Sequence, residues 1–153
     1  MKIYGMDYTE QMRRIVAAGA RYRVAVVKEE AGECEPFVMN VGREVAVAVE
    51  NVGKKYGQKE SKYQMEVAEA VERAMKQRIF EDEELGSVLV MRNLGILFEP
   101  QLHVDIVGML RRISRNTLTV LLWAGEMDAQ KLYFLDKDSE ITINQSDINY
   151  TII

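Results

Sequence analysis

"GSVLVMRNLGILFEP", residues 86–100, decides how the chain is read. Val88 to Met91 is an unbroken apolar run without the alternation of a strand that has one wet face, so it predicts a strand covered on both sides. In many nucleotide-binding α/β proteins such a strand delivers a carboxylate to a bound magnesium ion. Here it ends in Arg92-Asn93, a cation and an amide. A guanidinium left unpaired away from water costs several kcal/mol, so Arg92 has to reach solvent or a carboxylate. Topology nominates Glu29, Glu30 and Glu33, in the polar loop 28–36, as its partners.

Working outward, "DIVGMLRRIS" at 105–114 predicts a helix with Asp105 as its cap and Ile106, Leu110 and Ile113 facing inward. "TLTVLLW", 117–123, reads as a second central strand. Upstream, "FEDEELG" at 80–86 reads as an acidic surface loop. The stretch 61–79 predicts a helix with Tyr63, Val67, Val71 and Met75 on one face and Glu69–Arg73 and Glu72–Lys76 pairs on its surface. Residues 54–62 read as a charged connector. Val45, Val49 and Val52 predict a helix from 43 that stops at Gly53, with a strand in "VAVAV" as the alternative. "FVMNV", 37–41, and "YRVAVV", 22–27, read as strands, and residues 8–18 as a first helix opened by an Asp7/Glu10 capping box. "KLYFL", 131–135, and "EITI", 140–143, predict a β-hairpin or edge extension within 130–145.

Strands alternating with helices predict an α/β fold: a three-layer sandwich with a mainly parallel sheet, whose binding edge lies at the carboxyl ends of the strands. At 153 residues and 48% hydrophobic composition, the chain supports one domain, 1–153. A formal charge of −4 disfavours a general electrostatic grip on nucleic acid. One cysteine, Cys34, and one histidine, His103, are a poor basis for a disulfide or a zinc site. No apolar stretch is long enough to span a bilayer, and "MKIYGMDYTE" lacks a signal-type run, so a cytoplasmic location is expected and the "NQS" and "NYT" triplets read as chance matches.

A triphosphate site needs a glycine-rich turn after the first strand, followed by Lys and then Ser or Thr. The corresponding segment, "KEEAGECEPF", has one glycine, Gly32, with carboxylates at 29, 30, 33 and 35 that repel phosphate. It is also too short to hold both the loop and the helix that such a loop caps. With Arg92 at the metal position, two independent parts of a conventional ATPase are missing.

"SVLVMRNLGILFEPQLHVDIVGMLRRISRNTLTVLLWAGE", residues 87–126, resembles the C-terminal half of the small P-loop-containing protein of bacterial BREX phage-defence systems. That family's pattern has a strand ending in Asp-Asn, an "ILF-P" segment, a helix ending in "LSRN" and a strand ending in Trp. The matching residues are Asn93, Ile96, Leu97, Phe98 and Pro100, then Ile113, Ser114, Arg115, Asn116 and Trp123; "FVMNVGREVAVAV" is similar to an "INVN" segment and its following helix. The resemblance implies a reduced P-loop NTPase-like fold and nucleotide binding or hydrolysis in support of a defence complex. The departures, Arg92 and the absent phosphate loop, fall on the parts that carry that activity.

The sequence therefore leads to a non-catalytic scaffold that works with other proteins, without catalytic residues, metal or cofactor. The alternatives are an ATPase-like subunit with an atypical site and a nucleic-acid contact module. Arg111, Arg112, Arg115 and Asn116, at a helix end, are the candidate partner contacts. With Lys54, Lys55 and Lys59 the three arginines are also the candidate phosphate contacts. Arg92, Asn93, Glu29, Glu30 and Glu33 are expected to close the vacated site. His103 reads as a surface or capping residue, Cys34 as unreactive among glutamates, Glu126 and Asp128 as solvated rim acids, and Trp123 as packing. The tails Leu132–Phe134 and Tyr150–Ile153 are candidates for edge pairing in a homo-oligomer.

Overall fold

A computed structural model describes residues 1–56 and 60–153. In chain order the elements are β1 (Lys2–Ile3), β2 (Met6–Asp7), α1 (Thr9–Ala17), β3 (Val24–Lys28), β4 (Met39–Asn40), α2 (Val41–Tyr56), α3 (Glu60–Gln77), β5 (Phe80–Asp82) and β6 (Gly86–Arg92). Two 3-10 turns, Leu94–Phe98 and Pro100–Leu102, lead to α4 (Ile106–Ser114), β7 (Leu118–Trp123), β8 (Lys131–Tyr133), β9 (Thr142–Asn144) and β10 (Thr151–Ile152).

The central sheet runs β10-β3-β7-β6-β4, all parallel, with β5 antiparallel on β6. Side chains alternate between two separate cores, the period-2 consequence of a pleated strand. Val24, Val26, Leu89, Met91, Leu121 and Trp123 pack with α2, α3, α4 and the 3-10 turns on one face. Ala25, Val27, Val88, Val90, Val120 and Leu122 pack with Met12 and Ile15 of α1 and with Ile3 on the other. This is α/β architecture with a mainly parallel sheet flanked by helices, compatible with a three-layer sandwich. Val88 to Met91 are fully buried, and all of β7 is buried, because both faces are covered. Among the described residues no helix is long and apolar enough to cross a membrane.

Several local expectations are corrected. Asp7 ends a strand and accepts the Thr9 N–H, while Glu10 pairs with Arg13 and Arg14, so no capping box forms. "FVMNV" contributes only two strand residues: Asn40 Oδ1 accepts the Arg43 N–H at 3.1 Å and turns the chain into α2 at Val41. That helix passes through Gly53 and absorbs the start of the charged connector. The connector's middle, with Lys59, lies outside the described residues, as does the Tyr63 side chain. Val67, Val71 and Met75 are buried, and Glu72 meets Arg112 of α4 at 2.7 Å where a pair with Lys76 was expected. The acidic 80–86 segment is a hairpin, because Phe80 packs on Phe37 and draws β5 onto β6. Asp105 caps α4 as expected, accepting from Gly108.

The tail is used within the chain. β8 and β9 pair antiparallel, burying Leu132 and Ile143 against the α2–α4 face. Thr151 and Ile152 then lie beside Ala25 and Val26 as an edge strand. Of the residues expected to serve edge pairing between copies, Leu132 and Tyr133 pair with β9 in a separate two-stranded sheet, and Thr151 and Ile152 form the outermost strand of the central sheet.

Candidate functional site

The carboxyl ends of β3, β7 and β6 lie side by side, with β7 in the middle; Lys28 is in register with Trp123, and Leu122 with Arg92. The ladder continues one residue past β3, where the Glu29 N–H donates to Trp123 O at 2.9 Å. Arg92 and Glu29 therefore flank the end of β7 from either side. Arg92 Nε and Nη2 each sit 3.0 Å from Glu29 Oε1. The side chains are 26% and 15% exposed, so the pair is partly desolvated and tied to the edge of the sheet. Glu30 and Glu33 are exposed and make no ion pair with Arg92 among the described residues. The segment from Glu29 to Val38 contains no helix.

Asn93 turns away from this pair. It adopts a left-handed backbone (φ 59°, ψ 50°), which Asn tolerates better than most residues, and its Nδ2 donates to Asn40 Oδ1 at 3.1 Å. Asn40 thereby receives both Asn93 and the first turn of α2. A Cβ on Gly42 would lie 2.3 Å from Asn93 Nδ2, so the absence of a side chain at 42 lets the clamp close.

Beside the pair is a cavity of about 160 Å³, lined by Glu29, Asn93, Leu94, Trp123, Phe134 and Leu135 together with small residues at 95, 124 and 125. Its far wall is the C-terminal hairpin, hooked onto the end of β7. Trp123 Nε1 donates to Tyr133 O at 3.0 Å, the Glu126 N–H donates to Leu135 O while Glu126 O accepts the Tyr133 N–H, and Phe98 meets both Trp123 and Phe134. Asp128, expected as a solvated rim acid, is an organising residue. It accepts the Gln130 and Lys131 N–H groups and the Tyr133 hydroxyl, and these bonds hold its carboxyl below the usual range. Tyr150 donates to Asp128 O at 2.7 Å; burial, with Asp128 nearby, pushes its phenol up to about 12.

Under the same sheet edge, on the α1 face, lies a cluster with no local sequence signal. Tyr4 and Gly5, both at positive φ, form the two-residue turn between β1 and β2, and their N–H groups donate to the Glu35 carboxylate. Partial burial raises the Glu35 carboxyl, but the N–H groups of Glu35, Tyr4 and Gly5 outweigh it and the net shift is downward. Among the described residues the buried Tyr4 hydroxyl oxygen has no hydrogen-bond partner. Burial first, then the neighbouring Cys34, push its phenol up to about 12.

The arginine group is dispersed. Arg111 donates through Nε to Asp147 O at 2.7 Å and through Nη2 to the same oxygen. Arg112 bonds Glu72. Arg115 caps α4 and, with Asn116, is exposed. Lys54 pairs with Glu50 one helical turn away at 3.1 Å. His103 is exposed in a left-handed conformation after the second 3-10 turn. Among the described residues no group of three or more His, Cys, Asp or Glu side chains is arranged to hold a metal ion.

The site is thus the carboxyl edge of a parallel α/β sheet, with an internal ion pair across the end of its middle strand and a small apolar cavity beside it. No protein-family profile, curated protein or solved structure matches the chain.

Proposed function

We propose that the protein is a non-catalytic interaction component of a prokaryotic phage-defence assembly, built on a reduced P-loop NTPase-like scaffold whose nucleotide position is closed from within. The observation that carries this reading is the Arg92–Glu29 pair. It stands at the sheet edge where α/β proteins bind ligands, puts a cation at the end of β6 where a metal-holding carboxylate would sit, and ties that cation to Glu29. The helix-free loop after β3 supports the same reading, because a phosphate cradle draws its N–H groups from a loop feeding a helix. The phage-defence context comes from the resemblance of residues 87–126.

The surface assigned to the partner is the end of α4, where Arg115 and Asn116 are exposed while Arg111 and Arg112 are engaged inside the chain. That engagement also weighs against the arginines as a nucleic-acid patch, since two of the three already have acceptors. Affinity capture from the native host, with wild type and Arg115→Glu run side by side, tests the proposal. A defined, stoichiometric partner set that the variant loses is expected. No stable partner, or only unrelated metabolic enzymes bound equally by both proteins, rejects it.

A further inference from the structure

The cavity at the strand ends has a chemistry of its own, independent of the scaffold reading. Leu94, Trp123, Phe134 and Leu135 give it apolar walls, and Glu29 and Asn93 carry its side-chain polar groups. Each of these two keeps an acceptor in reserve. Both Arg92 contacts fall on Glu29 Oε1, and among the described residues Oε2 receives no hydrogen bond. Asn93, exposed at the rim, donates through Nδ2 to Asn40, and among the described residues its Oδ1 accepts no hydrogen bond. The one side-chain donor of the apolar wall, Trp123 Nε1, is already bonded to Tyr133 O. The cavity therefore offers unfilled side-chain acceptors without a free side-chain donor to match them.

Size and charge narrow the occupant. A volume of about 160 Å³ is close to the roughly 150 Å³ that holds a benzene ring in a protein interior. An anion would face Glu29, with the carboxylates of Glu30 and Glu33 in the same loop, and Arg92 does not line the cavity. A donorless ring would gain the apolar walls and leave the acceptors unmatched. Apolar lining with a few oriented polar groups at the carboxyl edge of a parallel sheet is the usual form of a small-molecule site.

We propose that this cavity binds a flat, ring-sized molecule that donates N–H bonds and carries no negative charge, an aryl amidine, amine or carboxamide. The ring lies among Trp123, Phe134 and Leu94, and the N–H groups reach Glu29 Oε2 and Asn93 Oδ1.

Trp123 is the single tryptophan of the chain, so its emission reports on the cavity directly. The full chain is titrated with benzamidinium, benzamide, toluene and benzoate. A saturable emission change is expected with benzamidinium, a weaker one with benzamide, and none with benzoate. Glu29→Gln, which removes the charge from the acceptor, should weaken benzamidinium by about tenfold or more, as expected for loss of a charge-assisted bond. Ala124→Phe, at an exposed position on the cavity wall, leaves the Arg92–Glu29 pair in place and should abolish binding by filling the mouth. It carries the test if Glu29→Gln fails to fold. An equal response to benzoate, a response that survives Ala124→Phe, or no saturable response to benzamidinium would overturn the proposal.

Discussion

Arg92 stands where a strand of this kind commonly presents an acid, and its effect on the molecule follows from Glu29, its partner among the described residues. Glu29 is mostly buried, so Arg92→Ala leaves a carboxylate with its main stabilising contact gone. The expected loss is about 1–3 kcal/mol, below the cost for a fully buried pair because both side chains retain some water. Arg92→Lys should recover only part of it, since an ammonium cannot reproduce the two-nitrogen contact. Urea denaturation of the two variants checks the order. Glu35 supports a second residue-scale prediction. Its carboxyl is lowered from an ordinary value of 4.5 by N–H groups that include the Tyr4–Gly5 turn. A lowered carboxyl contributes stability that is complete above its unfolded pKa and is lost as pH falls through its folded pKa. The stability difference between wild type and Glu35→Gln should therefore be constant near neutral pH and shrink in acid below about 4.5. A difference that grows in acid would contradict the assignment. The Arg92–Glu29 contact was legible because a guanidinium at the end of a buried strand demands an acid on the same edge. The Tyr4–Glu35 contact was not, because only the tertiary fold brings the first turn to the loop at 35.

At the scale of elements, sequence periodicity located β6, α3, α4 and β7, where burial on one stripe or on both faces leaves a clear pattern. It failed where neighbours override local signals. Gly53 carries no stop because α2 continues against the α3 layer, with Val52 buried beside it. The acidic stretch at 80–86 becomes β5 because Phe80 has a partner in Phe37, a contact no local window contains. The hairpin β8–β9 was visible as alternating apolar residues, but its seat on β7 was not, since that depends on backbone approach at Gly125. A Cβ there would lie 2.0 Å from Tyr133 O and 2.9 Å from Leu135 N, both backbone atoms that cannot rotate aside. Gly125→Ala should therefore destabilise by about 1–3 kcal/mol, the usual cost of forced overpacking. It should also speed amide exchange across 131–144 more than in β6. Unchanged protection of the hairpin would show that it does not depend on this contact.

The whole molecule is two cores on either side of one mainly parallel sheet, extended beyond β3 by its own last strand and fitted at the carboxyl edge with a hairpin wall. On the proposed reading this edge holds no triphosphate: the loop after β3 leads into β4 and not into a helix, and Arg92 is turned onto Glu29. Placing an acid at 92 would then be insufficient. Arg92→Asp would set two carboxylates against each other and lower stability, and the phosphate cradle would still be missing. The most direct measurement is calorimetric titration of wild type and Arg92→Asp with magnesium-ATP, coupled to a sensitive phosphate-release assay. Neither protein should give saturable heat or phosphate release. Saturable micromolar binding with turnover by the wild-type chain would contradict the account.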